Sequence, residues 1–177
     1  MRRSAQASLH RAVVVIVLLM LMAAPALANS GTHADPYARG TLANSIDGFA
    51  IRVLAVNTDA WPVIRSAGAS NRRPFLGSTD VLVRIEAINR GRDAGIPFVS
   101  GTLNAVGRAG TPYTPFARGC GVIPRDVSTI SPISPGKSAV VNVCWQVDDS
   151  DVDSLLMVYE PYQGARNVYF ALHRAAP

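Results

Sequence analysis

Apolar and polar residues are distributed along this chain in two different ways. Near the start they form one unbroken apolar block, Ala12 to Ala28, with Val13, Val14, Val15, Ile16, Val17, Leu18 and Leu19 in succession. From Phe49 onward they alternate in short runs, the two-residue period of strands with one buried face. Phe49, Ile51, Val53 and Ala55 form the first run, and Val81, Val83, Ile85 and Ala87 the second, with Arg84 and Glu86 on its opposite face. Val141, Val143, Trp145 and Val147 form another, opposed by Asn142, Cys144 and Gln146, and this pattern predicts a central, well-packed strand. Ile96 to Val106, broken near Gly101, predicts a further strand, and Leu155 to Tyr159 and Val168 to Leu172 predict two closing ones.

Between these runs the chain is punctuated by turn residues. Asn89-Arg90-Gly91 ends the second run and Ser134-Pro135-Gly136-Lys137 introduces the Trp145 strand. From Asn57 to Thr79, the residues Pro62, Gly68, Asn71, Pro74 and Gly77 leave no room for a long helix or strand, so this stretch reads as a long connection holding Trp61 and Phe75. Six or seven short strands with no convincing amphipathic helix predict an all-β fold, an immunoglobulin-like antiparallel sandwich of about seven strands. A closed barrel is the structural alternative.

The leading block has the order of a secretory signal. Arg2, Arg3 and Arg11 precede the apolar run, Pro25 breaks its helix, and Ala26-Leu27-Ala28 supplies the small-x-small pattern before Asn29. The 17 apolar residues fall short of the roughly 20 of a spanning helix, so cleavage after Ala28 is expected rather than a stable membrane anchor. Ser4-Ala5-Gln6 after the arginine pair argues for general secretion over the twin-arginine route. The organisation read from sequence is therefore a signal peptide at 1–28, a flexible tail at 29–47 that is rich in Gly, Ser, Ala and Thr, and one sandwich domain at 48–177.

Charge changes the picture little. The 17 basic and 12 acidic residues include three arginines of the signal, leaving a balance of +2 on the remainder. Arg72-Arg73 and Arg90/Arg92 are the only close basic pairs there, which argues against nucleic-acid binding. Cys120 and Cys144 are the only cysteines, and in an exported protein a single disulfide is the expected use of them. By strand alternation Cys144 faces away from Val143 and Trp145, so the bridge is expected to pin the Cys120 loop across the outer face of its sheet.

The runs Val81 to Asn89 ending at Gly91, Ser134-Pro135-Gly136 ahead of Val141 to Val147, and Leu155 to Tyr159 together resemble a widespread bacterial extracellular family. Its members are secreted immunoglobulin-like domains of unknown function, the telomeric-repeat-binding-factor-2-like and extracellular immunoprotective-antigen-like domains. Cys120-Gly121-Val122-Ile123-Pro124, Gly136 and Asn142-Val143-Cys144-Trp145 are similar to an actinobacterial subset with a paired-cysteine motif. The resemblance spans about Phe49 to Leu172; it implies the sandwich and the cysteine pair, and brings no catalytic residues.

Candidate chemistry is sparse. A Ser-His-Asp or Cys-His hydrolase needs a histidine beside its nucleophile, and after the signal only His33 and His173 remain, one in the tail and one near the carboxyl end. Asp149, Asp151 and Asp153 with Glu160 imitate the ligand order of a calcium loop, but Ser154 stands where the sharp turn needs glycine and a strand follows at once, so a solvated acidic turn is the favoured reading. Tyr159, Tyr162 and Tyr169 sit in or beside the closing strands, where aromatics serve cross-strand packing more often than sugar binding. Trp61, Arg72, Arg73 and Phe75 form the best surface candidate, since aromatics and arginine anchor protein interfaces, although loop aromatics also cap sheet edges. The reading from sequence is a secreted, non-catalytic module with no cofactor that meets an unknown protein or cell-envelope component. An extracellular calcium-binding module is the alternative, and a small secreted hydrolase a more distant one.

Overall fold

The computed structural model describes residues 30–173, so the signal segment at 1–28 lies outside the described residues. Among the described residues there are eight strands: β1 (Ala43–Ile46), β2 (Phe49–Asn57), β3 (Ser78–Asn89), β4 (Gly101–Val106), β5 (Pro112–Tyr113), β6 (Ser138–Asp148), β7 (Leu156–Pro161) and β8 (Val168–Ala171). They form two four-stranded sheets in the orders β1-β2-β3-β6 and β5-β4-β7-β8, and every strand pair is antiparallel. Lettering β2, β3 and β4 as A, B and C, β5 as C′ and β6 to β8 as E, F and G gives the sheets A-B-E and C′-C-F-G. That is immunoglobulin-type connectivity with an extra leading strand.

Alternation does what the sequence pattern predicts across most of the core. Val81, Val83, Ile85 and Ala87 of β3 meet Val141, Val143, Trp145 and Val147 of β6 and, from the other sheet, Leu103, Ala105, Met157, Tyr159 and Phe170. The first strand departs from its pattern. Val53 pairs with Ile85 but Ala55 pairs with Arg84, so Leu54 is an extra, bulged residue. The bulge flips the period: Ala55 turns to solvent and Val56 packs on the core in its place.

Four further expectations need correction. β6 is an edge strand rather than a central one, because its second neighbour is a loop: Asn142 N–H donates to the Arg125 carbonyl at 2.8 Å and Gln146 N–H to that of Arg118 at 2.6 Å. Covering an open edge in this way satisfies groups that would otherwise recruit another strand. The strand predicted from Ile96 starts only at Gly101, with turns before it. The segment read as a flexible tail packs on the sandwich from Ser30 onward. Tyr37 N–H donates to the Tyr169 carbonyl at 2.9 Å, Ala171 N–H donates to the Tyr37 carbonyl at 2.9 Å, and β1 pairs with β2. Its few apolar residues suffice because Ala43 and Ile46 enter the core and the Tyr37 ring lies 5.6 Å from that of Phe170.

The fourth correction concerns the connection after β2, which contains a helix, α1 (Trp61–Ala67). Seven residues make only two turns, too few to display a helical period. Pro62 is tolerated in the first turn, where its missing N–H has no partner to lose. α1 lies on the outer face of the first sheet, where Ala60 and Ile64 pack with Leu82, Cys120, Ile123 and Cys144 as a second, smaller core.

Candidate functional site

That outer-face core is the foundation of the most developed surface feature. Cys120 and Cys144 are disulfide-bonded with their Cα atoms 5.8 Å apart, which ties the 118–126 loop to the back of β6. Asn71 then joins this loop to α1. Its Nδ2 donates to the carbonyls of Ile64 and Val122, both at 2.7 Å, and its Oδ1 accepts from Val122 N–H at 2.8 Å. Gly121 leaves room for this clamp: its φ is +80° and a Cβ there would lie 2.5 Å from Asn71 Oδ1. No local pattern in the sequence pairs Asn71 with Val122, since the contact spans 51 residues.

Between α1's trailing loop and the disulfide loop runs a groove of about 650 Å³, lined by Arg72, Arg73, Phe75, Phe116, Arg118 and Gln146 among others. Phe75 is 68% exposed and Phe116 94%, values that mark unsatisfied apolar surface rather than edge caps. Of the four residues singled out from sequence, three line this groove, and Trp61 supports it from beneath the Arg73 guanidinium, 5.8 Å above its ring. Sequence reasoning missed Phe116, Arg118 and Val122, which flank the disulfide-tied Cys120, and Gln146, which lies on β6 two residues from Cys144.

Electrostatically the groove is one-signed. Three arginines line it and no carboxylate does; Asp148 approaches from outside, 3.5 Å from Arg118. Gln146 is 8% exposed, and its Oε1 has no hydrogen-bond partner among the described residues. Directly opposite on β3 stands Asp80, 1% exposed, whose two carboxylate oxygens also lack partners, so the two side chains do not bond to each other. Loss of water pushes the Asp80 carboxyl up to about 6.

The acidic residues do not assemble around a common point. Asp149–Ser154 forms a 3-10 helix, in which Asp151 is buried and accepts from the Tyr113 hydroxyl at 2.8 Å. A wholly solvated turn is therefore the wrong description of it. Asp151 fits because Gly107 faces it; a Cβ on Gly107 would stand 2.2 Å from Asp151 Cγ. Glu160 lies on β7 and accepts from Asn104 Nδ2 at 2.8 Å. Among the described residues, no group of three or more His, Cys, Asp or Glu side chains is placed to hold a metal ion.

The histidines are equally dispersed. His33 stands edge-on to Tyr169, with ring centroids 5.3 Å apart, and His173 lines a separate cavity with Arg39, Thr58 and Asp153 in which no serine or cysteine takes part. Of the tyrosines, Tyr159 is buried and donates to Asp47, whereas Tyr162 is exposed, so they present no shared platform. Among the described residues no helix is long and apolar enough to cross a membrane.

The class defined by this architecture is a disulfide-clamped antiparallel β-sandwich. No protein-family model matches the chain, and no curated protein does. Solved structures similar to it include a conserved hypothetical protein from Bacillus anthracis, at 15% identity over 75% of this chain and 94% of that one, with a TM-score of 0.46. An uncharacterized β-sandwich protein from Clostridium difficile is 14% identical over 77% of this chain and 93% of its own, with a TM-score of 0.47. The yjhA protein from Bacillus subtilis is 9% identical over 76% and 97% respectively, also with a TM-score of 0.47. At these scores the fold assignment rests on the chain's own sheets.

Proposed function

We propose that the chain is a secreted, non-catalytic recognition module of the immunoglobulin-like extracellular type, acting at the cell envelope through the Arg72–Phe75/Phe116–Val122 groove. The observation that carries this reading is the groove itself: two bulky aromatics left exposed beside three arginines, on loops held by a disulfide and the Asn71 clamp. A protein does not ordinarily leave such side chains in water, and aromatic and arginine anchors are what binding surfaces use. Rigid loops add to this, because residues already ordered lose little entropy on binding. The disulfide and the apolar leader at 1–28 support an oxidising, exported location. Neither nucleic acid nor a bilayer is its proposed partner.

Site-specific photo-crosslinking tests the reading. A photoreactive residue at position 75 or 116 should give discrete crosslinked products in cells that make the protein, and one at Asn44, exposed on β1, should not. Equal products from both places, or none from the groove, would remove the assignment.

A further inference from the structure

We propose that the groove binds an extended acidic peptide segment of a partner protein. Carboxylates of the peptide meet Arg72 and Arg73, and apolar side chains lie against Phe75 and Phe116. This deepens, and rests on, the recognition reading above. Two independent features select the ligand. The lining carries three guanidinium groups and no carboxylate, so the favoured charge is negative and carboxylate pairing can be bidentate. Phe75, Phe116 and Val122 together expose apolar surface that a purely hydrophilic polyanion would leave wet.

A peptide brings several carboxylates and apolar side chains along one chain, matching arginines and aromatics set side by side, whereas a fatty acid brings a single carboxylate to the arginines. The modest +2 balance outside the signal gives a nucleic acid's phosphates little long-range attraction, which argues for a short acidic stretch.

The test is fluorescence anisotropy on protein recovered after export, using a fluorescein-labelled octapeptide of alternating aspartate and leucine. Alternating lysine and leucine, polygalacturonate and oligothymidylate serve as comparison ligands. The acidic peptide should bind, weaken with added salt, and lose at least tenfold in affinity in Arg72→Ala/Arg73→Ala and in Phe116→Ser, with melting temperatures unchanged. Arg72→Lys/Arg73→Lys should recover part of the loss. If polygalacturonate or oligothymidylate binds instead and responds to the same variants, the peptide assignment falls while groove recognition stands. Acidic-peptide binding indifferent to the variants, or no binding alongside groove-specific crosslinks, overturns the peptide inference alone; absence of both overturns the two readings together.

Discussion

Replacing Asp80 with asparagine should make the protein more stable at pH 8 and leave it almost unchanged at pH 4. Asp80 sits on the outer face of β3 at 1% exposure, facing Gln146, with no partner for either carboxylate oxygen. Burial without a partner disfavours the charged form, and the carboxyl rises from 3.8 to about 6. In the unfolded chain the same group ionises near its ordinary value. The folded state therefore holds the proton more tightly. This group's contribution to stability is complete below about pH 3.8, fades as pH climbs through 6 and is gone above it.

A shift of about 2 units at about 1.4 kcal/mol each makes the loss roughly 3 kcal/mol. An asparagine has nearly the same shape and no charge to bury, so its variant escapes that loss. The difference in unfolding free energy between wild type and Asp80→Asn, measured by urea denaturation at pH 4, 6 and 8, cancels the titration of every other carboxylate. It should open from near zero to about 3 kcal/mol in favour of the variant, equivalent to several degrees in melting temperature. A variant less stable than wild type at pH 8, or a difference that does not change with pH, would refute the reasoning, because either outcome requires that the carboxylate is stabilised in the fold.

Other perturbations test other parts of the structure. Cys120→Ser/Cys144→Ser opens a link between residues 24 apart and should cost about 3.5 kcal/mol in the loop-entropy account, read as a drop of several degrees in melting temperature with the β-sheet circular dichroism retained. Tyr113→Phe removes the hydroxyl that donates to buried Asp151 and should cost about 1–3 kcal/mol in urea denaturation. Ile64→Ala, which hollows the small core under α1, should cost about 2–5 kcal/mol and loosen amide protection in α1 more than in β7, as read by hydrogen exchange. By contrast Glu86→Gln, which breaks the partly exposed pair with Arg52, should change stability by less than about 1 kcal/mol.

Much of the sandwich was legible in the chain because its core strands are local patterns. Val81 to Ala87 and Val141 to Val147 alternate strictly, and a two-residue period allows one face to be buried in only one register. Alternation also placed Cys144 on the outer face of β6, and the two cysteines together marked the bridge. What the chain did not reveal depends on neighbours distant in sequence. The bulge at Leu54 shows only against β3, and β6 is an edge strand because of where β3 and the 118–126 loop lie. The order of residues 30–46 comes from two sheet edges that need covering, a requirement invisible in a stretch rich in small and polar residues. The groove divides in the same way. Arg72, Arg73 and Phe75 could be picked out as adjacent aromatic and basic residues, whereas Phe116, Arg118 and Gln146 join them only after the disulfide and Asn71 bring the two loops together. Local alternation is written residue by residue, but a binding surface assembled from three separate segments exists only once the long-range contacts have formed.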